Sequence, residues 1–344
     1  MTASCTINAA TGGVDAGANP AASNYIQCTP ELAALLNWCG QAPAANGSTR
    51  GDPHVRNVNG VPYDFQAAGE FVYLRSGLGT EVQVRQSPVS TQQPIGPDSH
   101  TGLISCVSIN TAMAARVGST RVTLQSAMNG EVNPKMMELR IDGKSVALSK
   151  RPVKLDGGGR ITRSALGTGV EIDFPDKTHL TAIPNFWAAP HNVWYLDVEI
   201  SNTPGRDGIM GAIPIGSWLP ALADGSMFGS RPASLSQRYV DFNRRFADSW
   251  RVPSTDSLFD YVPGTSTDDF TLRDWPPEKP PCIVPNSKIP PAEPMNPDKA
   301  KSVCGRIRDK DLRAQCLMDV TATGDAVFAM TYLTSQALKK LRKN

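Results

Sequence analysis

Nowhere among the 344 residues is there an apolar run long enough for a membrane span, which takes roughly 20 residues of helix. Basic charge is not clustered either. The chain carries 34 Lys and Arg against 32 Asp and Glu, interspersed to a net charge of +2, so the basic face that marks nucleic-acid binding is missing. The seven cysteines include no CxxC pair, which argues against a paired-thiolate zinc site and a thioredoxin-like redox centre. No GxSxG elbow, HExxH helix, Walker loop or dinucleotide fingerprint is present. Gly157-Gly158-Gly159 follows Asp156 in a turn context, without the strand-to-helix setting of a phosphate loop. The four histidines, His54, His100, His179 and His191, stand far apart. Conventional enzyme chemistry is therefore not expected. The opening Met1-Thr2-Ala3-Ser4 lacks the basic and apolar regions of a signal peptide. If the protein is exported, its numbering starts after a removed leader or inside a longer polypeptide.

What the chain does have is strand after strand. The stretch 51–76 reads GDPHVRNVNGVPYDFQAAGEFVYLRS. Its Asp52-Pro53 dipeptide biases the chain into an extended entry to His54. Asn59-Gly60 predicts a type I′ hairpin, which needs positive φ at both central residues. In 69–76, Phe71 and Tyr73 alternate with Val72 and Leu74, as in a strand covered on both faces. In 81–86, Val82 and Val84 share one face and polar residues the other. Further strands are expected over 104–115, 120–125, 136–141, 146–148, 160–165, 169–174, 178–183 and 193–200, punctuated by Gly-, Asn- and Asp-rich turns. This regular spacing predicts a sandwich or barrel rather than βαβ units.

The flanks differ in composition. Residues 1–50 read as loop with one short helix over 29–38, capped by Thr29 with Pro30 at its first position. Residues 202–236 are crowded with Gly, Pro and Ser and predict a long surface loop. Residues 236–250 turn helical, with Tyr239, Phe242, Phe246 and Trp250 on one packing face. Residues 253–298 are too proline-dense for helix or central strand and read as a connector. Two helical stretches follow, over 298–318 and 325–342. Four regions are thus expected: 1–50, a sandwich over 51–252, a connector over 253–298 and a helical cap over 299–344.

The GDPH opening, the NG turn, YDFQ, GEFVYLRS and EVQVRQ, with GIMG at 208–211 and FADSWRV at 246–252, resemble the von Willebrand factor type D domain of extracellular glycoproteins. The resemblance covers about 51–252. It implies a mostly β, antiparallel β-sandwich fold, and a secreted or cell-surface setting. Members of that family coordinate calcium through a strand Asp near the NG turn and through Asp and Asn residues after the turn that matches GIMG. Here the strand position holds Asn59 rather than Asp, and residues 212–218 carry no carboxylate, leaving Asp207 and Asp224 as the nearby acids, whereas a calcium cage needs six to eight oxygens. No cofactor is expected, with calcium at those three residues as the alternative. Two family half-cystines are replaced, by Gly69 and Met210, so the sandwich must stand on its apolar core. Disulfides are then expected among Cys5, Cys28, Cys39, Cys282, Cys304 and Cys316, with Cys106 a buried thiol because it sits mid-strand.

The sharpest chemistry lies at Asp52-Pro53. The Asp52 carboxyl can attack its own main-chain carbonyl, and proline nitrogen leaves readily once protonated. His54 is placed to supply that proton. Some members of the resembling family cleave themselves at this bond. The contrasting reading has Asp52-Pro53 merely opening the first strand. A second feature is the run Ile213, Ile215, Trp218, Leu219 and Leu222, either a tucked-in core segment or a partner surface. The expectation is an extracellular structural or adhesive module contacting other proteins, copies of itself included. Self-processing between Asp52 and Pro53 is the alternative.

Overall fold

A computed structural model describes residues 45–127, 132–166 and 169–341. The helix expected over 29–38 and the disulfide candidates Cys5, Cys28 and Cys39 lie outside the described residues.

The strands are β1 (Ala45–Arg50), β2 (His54–Arg56), β3 (Pro62–Asp64), β4 (Gly69–Arg75), β5 (Glu81–Pro88), β6 (Ser108–Val117), β7 (Thr120–Gln125), β8 (Glu138–Ile141), β9 (Lys144–Ser145), β10 (Val153–Lys154), β11 (Arg160–Arg163), β12 (Val170–Asp173), β13 (His179–Trp187) and β14 (Val193–Thr203). They form two antiparallel sheets, an eight-stranded one in the order β10-β11-β12-β13-β14-β1-β2-β3 and a six-stranded one running from β4 to β9 in sequence order. The protein is thus mostly β and sandwich-like. The long β13-β14 hairpin, paired from His179↔Ser201 to Trp187↔Val193, anchors the larger sheet. β1 closes onto β14 on one side and β2 on the other. The sandwich therefore begins at Ala45 rather than at 51, because β14 needs a partner on its open side.

Apolar residues of both sheets meet in the main core, with Phe65, Phe71, Tyr73, Leu74, Val82, Val84, Ile172, Leu196 and Val198 all buried. The helical segment comprises α1 (Leu235–Tyr239), a π-helical stretch (Val240–Phe246) and α2 (Ala247–Ser249). It sends Tyr239, Phe242, Phe246 and Trp250 into this core, as the stripe predicts. The GIMG and FADSWRV segments both dock on β4: Ile209 N–H donates to Val72 O, and Val72 N–H donates to Trp250 O. At Gly69, where the resembling family has a half-cystine, a Cβ would lie 2.3 Å from Arg251 Nη1. Arg251 stacks over Phe71 and donates to Ala68 O instead.

Two local expectations change. Gly60 has positive φ but Asn59 does not, so the β2-β3 loop is no type I′ turn. Asn57 shapes it, its Oδ1 accepting from Asn59 N–H and Val61 N–H. The alternation in β4 is broken by a bulge between Val72 and Leu74. The polar face of β5, whose surroundings the sequence left open, is covered by the connector. Leu258 and Phe259 pack on Ala112 and Ala114, and Gln83 exchanges hydrogen bonds with Leu258 N–H and Asp256 O. Asp260 pairs with Arg121 and Arg140. The stretch expected as a linker is a strap on the smaller sheet.

That strap also corrects the thiol assignment, since Cys106 is bonded to Cys282. Proline keeps the strap extended, and its backbone pairs with the chain preceding β6 closely enough to bring the two sulfurs together. Beyond it, α3 (Pro297–Cys304), α4 (Lys310–Thr323) and α5 (Phe328–Leu341) form the cap, with Cys304 bonded to Cys316. The cap buries a second core against the larger sheet, where Phe328 stacks on Tyr195 at 4.6 Å and meets Trp187 edge-on. No helix of the described residues is long and apolar enough to cross a membrane.

Candidate functional site

The turn between β1 and β2 holds Gly51, Asp52 and Pro53, all buried. Gly51 has φ +60°, and a Cβ there would lie 1.9 Å from Asp319 Oδ2. Only glycine both adopts that conformation and admits the carboxylate. His54, first residue of β2, points into a cluster drawn from four parts of the chain. Its Nδ1 is 2.5 Å from Asp64 Oδ1 on β3. Its Nε2 is 2.7 Å from Asp319 Oδ1 on α4 and 2.8 Å from Asp52 Oδ1. Asp319 Oδ2 accepts from the Tyr332 hydroxyl on α5 at 2.5 Å and from the Asp52 N–H at 3.3 Å. Behind the turn, Asp197 on β14 accepts from Gly51 N–H and Asn185, while Arg50 pairs with Glu199.

The electrostatics follow from burial without a second cation. Both ring nitrogens of His54 face carboxylates. Burial disfavours its charged form, but Asp52, Asp64 and Asp319 together outweigh that and hold its pKa well above the ordinary value. Burial, reinforced by the Asp319 charge, pushes the Asp52 carboxyl well above the usual carboxylate range, although the imidazole pulls the other way. Burial and the neighbouring acids also raise Tyr332, which stays a phenol and a donor. His54 Nε2 is shared between Asp319 Oδ1 and Asp52 Oδ1, and among the described residues no other group hydrogen-bonds the Asp52 carboxyl oxygens.

Among the described residues, Asp52, His54 and Asp319 form the one group of three or more His, Cys, Asp or Glu side chains close enough to share an ion. Their gaps of 2.7 and 2.8 Å from Nε2 are hydrogen-bond lengths. Ligands at 2.0–2.1 Å around a tetrahedral ion stand about 3.3 Å apart. The spacing suits a proton.

The other candidates lie elsewhere. Asp207 and Asp224 belong to no such group; both are exposed, and Asp224 accepts from Ser226 N–H. The Asn59 side-chain oxygen is occupied by Ile213 N–H at 2.6 Å. The expected partner surface is largely core. Trp218 is 5% exposed and Leu219 is buried, with Trp218 stacked on His100 and its carbonyl 2.7 Å from His100 Nε2. Ile213 and Leu222 are half-buried, leaving Ile215, 98% exposed, as the free apolar side chain of the five. His179 pairs with Asp173 and His191 stacks on Trp187, so the histidines share no site.

Asp64, Asp197, Asp319 and Tyr332 were not singled out by sequence reasoning. One signal was available for Asp319: it sits on the buried stripe of α4 with Leu312, Cys316, Val320 and Thr323, and an acid there demands a buried partner. No family model matches the chain, and no curated protein matches it.

Proposed function

We propose that this chain is an extracellular structural module that cleaves its own backbone between Asp52 and Pro53. The observation that carries this reading is the buried contact of His54 Nε2 with Asp52 Oδ1 at 2.8 Å, in the turn that holds the bond. In the reaction, an Asp52 carboxyl oxygen bonds to its own main-chain carbonyl carbon, closing a five-membered anhydride. The bond to Pro53 nitrogen breaks, and the proton given up by the carboxyl reaches that nitrogen through His54. One water then opens the anhydride, leaving Asp52 as a free C-terminus and Pro53 as a secondary amine. No oxidant or other co-reactant is consumed. The resemblance to the type D domain supports the same chemistry.

The fold supports an outcome in which cleavage does not release the pieces. Cys106–Cys282 and Cys304–Cys316 both lie after the bond. The upstream piece is held by β1, paired with β14 and β2, and by Arg50–Glu199. The disulfides favour an oxidising compartment. Contact with other proteins is the second reading, supported by fully exposed Ile215 in a long loop.

Intact mass spectrometry under denaturing, reducing conditions, after incubation at pH 5 and pH 7.5, tests the proposal. Expected are fragments 1–52 and 53–344, faster at pH 5, where the cluster keeps its protons, and none from Asp52→Ala. A single intact chain at both pH values after days, indistinguishable from Asp52→Ala, would overturn it.

A further inference from the structure

We infer that the C-terminal helical cap is part of the cleavage apparatus, with Asp319 and Tyr332 acting as positioning residues for His54 and Asp52. This rests on the self-cleavage reading and assigns it residues from the far end of the chain. Asp319 does two things at once. Its Oδ1 takes the Nε2 proton of His54, and its Oδ2 takes the main-chain N–H of Asp52, the residue whose carbonyl is attacked. The imidazole and the scissile unit are thereby fixed to the same carboxylate. Tyr332 donates to Oδ2 and sets the rotation of that carboxylate. All four side chains are buried.

The arrangement links chemistry to completed folding. The contact between Asp52 and Asp319 spans 267 residues of sequence, and the cap that carries Asp319 packs Phe328 and Tyr332 in one core with Tyr195 of the larger sheet. A chain whose cap is undocked has Asp64 as the one carboxylate outside the turn still touching His54, and no group on the Asp52 N–H. Cleavage is thus confined to the folded chain.

The groups facing His54 are Asp52 in the turn, Asp64 on β3, Asp319 on α4 and Tyr332 on α5, whose ring centroid is 6.4 Å away. Asp319→Asn removes one of three charges that keep the imidazole protonated. The full-length variant should fragment at least about tenfold more slowly, with the midpoint of its rate-pH profile moved to lower pH. Tyr332→Phe, which removes one hydroxyl from a buried ring, should slow fragmentation several-fold, and Asp319→Glu should recover part of the Asp319→Asn loss. Circular dichroism establishes that each variant is folded. A role in stability alone would leave the pH midpoint unmoved in folded variants. If wild type fragments and folded Asp319→Asn fragments equally fast with the same midpoint, the inference is wrong. Should Asp319→Asn fail to fold, a folded Tyr332→Phe cleaving at the wild-type rate overturns it equally. Failure of wild type itself to fragment would instead remove the underlying reading.

Discussion

Replacing Asp197 with Asn tests the electrostatics behind the turn without touching the scissile residues. Burial raises the Asp197 carboxyl from an ordinary 3.8 to about 7, against the lowering effects of Gly51 N–H, Arg50 and Asn185. A carboxyl raised in the folded state binds a proton there that the unfolded chain has already lost. Stability therefore falls as pH rises from about 4 to about 7 and is flat beyond. A shift of roughly three units is about 4 kcal/mol at most, at about 1.36 kcal/mol per unit. The neutral amide has no such dependence. Asp197→Asn, measured by urea unfolding at pH 4.5 and pH 8 on samples of known covalent state, should lose less stability between those pH values than wild type. The narrowing should be on the order of 2–4 kcal/mol. His54 and Asp52, both raised, drive a loss of the same sign in both proteins and cancel in the comparison. An identical pH dependence in the two would refute the assignment of a buried, proton-binding Asp197.

The two disulfides should differ in worth. Cys106–Cys282 closes a separation of 176 residues and Cys304–Cys316 one of 12, for which loop-closure entropy gives about 5 and about 3 kcal/mol. Urea unfolding of the two paired-alanine variants should show the larger loss for the first, and the reverse order would contradict the strap as the fold's main staple. Trp218→Ala should cost about 3–5 kcal/mol as a core truncation, whereas Ile215→Ser should stay within about 0.5 kcal/mol. Equal thermal shifts for the two would show that the loop is not seated as described.

Much of the sandwich was legible because its signals are local. The strands over 69–76 and 81–86, and a helical stripe through Tyr239, Phe242, Phe246 and Trp250, follow from backbone period, and their apolar residues are buried, although a bulge interrupts the first strand's alternation. The Asn59-Gly60 turn was misjudged because the Asn57 side chain, through a local hydrogen bond, competes with the tight turn. The connector was misread because proline density reports only that helix and central strand are excluded. It does not report that Leu258, Phe259 and Trp275 find a sheet to cover. Cys106 was misassigned because pairing depends on which distant backbone runs beside it.

The sequence by itself placed an Asp carboxyl beside a Pro nitrogen, a property of two adjacent residues, with His54 next to them. It also determined the extended entry into β2, through Pro53, but not β1, which lies in residues that read as loop. Tertiary structure alone decided the surroundings of that bond. The proton affinity of His54 and Asp52 depends on burial and on carboxylates from β3 and α4, and a hydroxyl from α5 orients one of them. Charge and desolvation act through space, so residues 267 positions apart in sequence govern one another only once the cap has packed against the sheet.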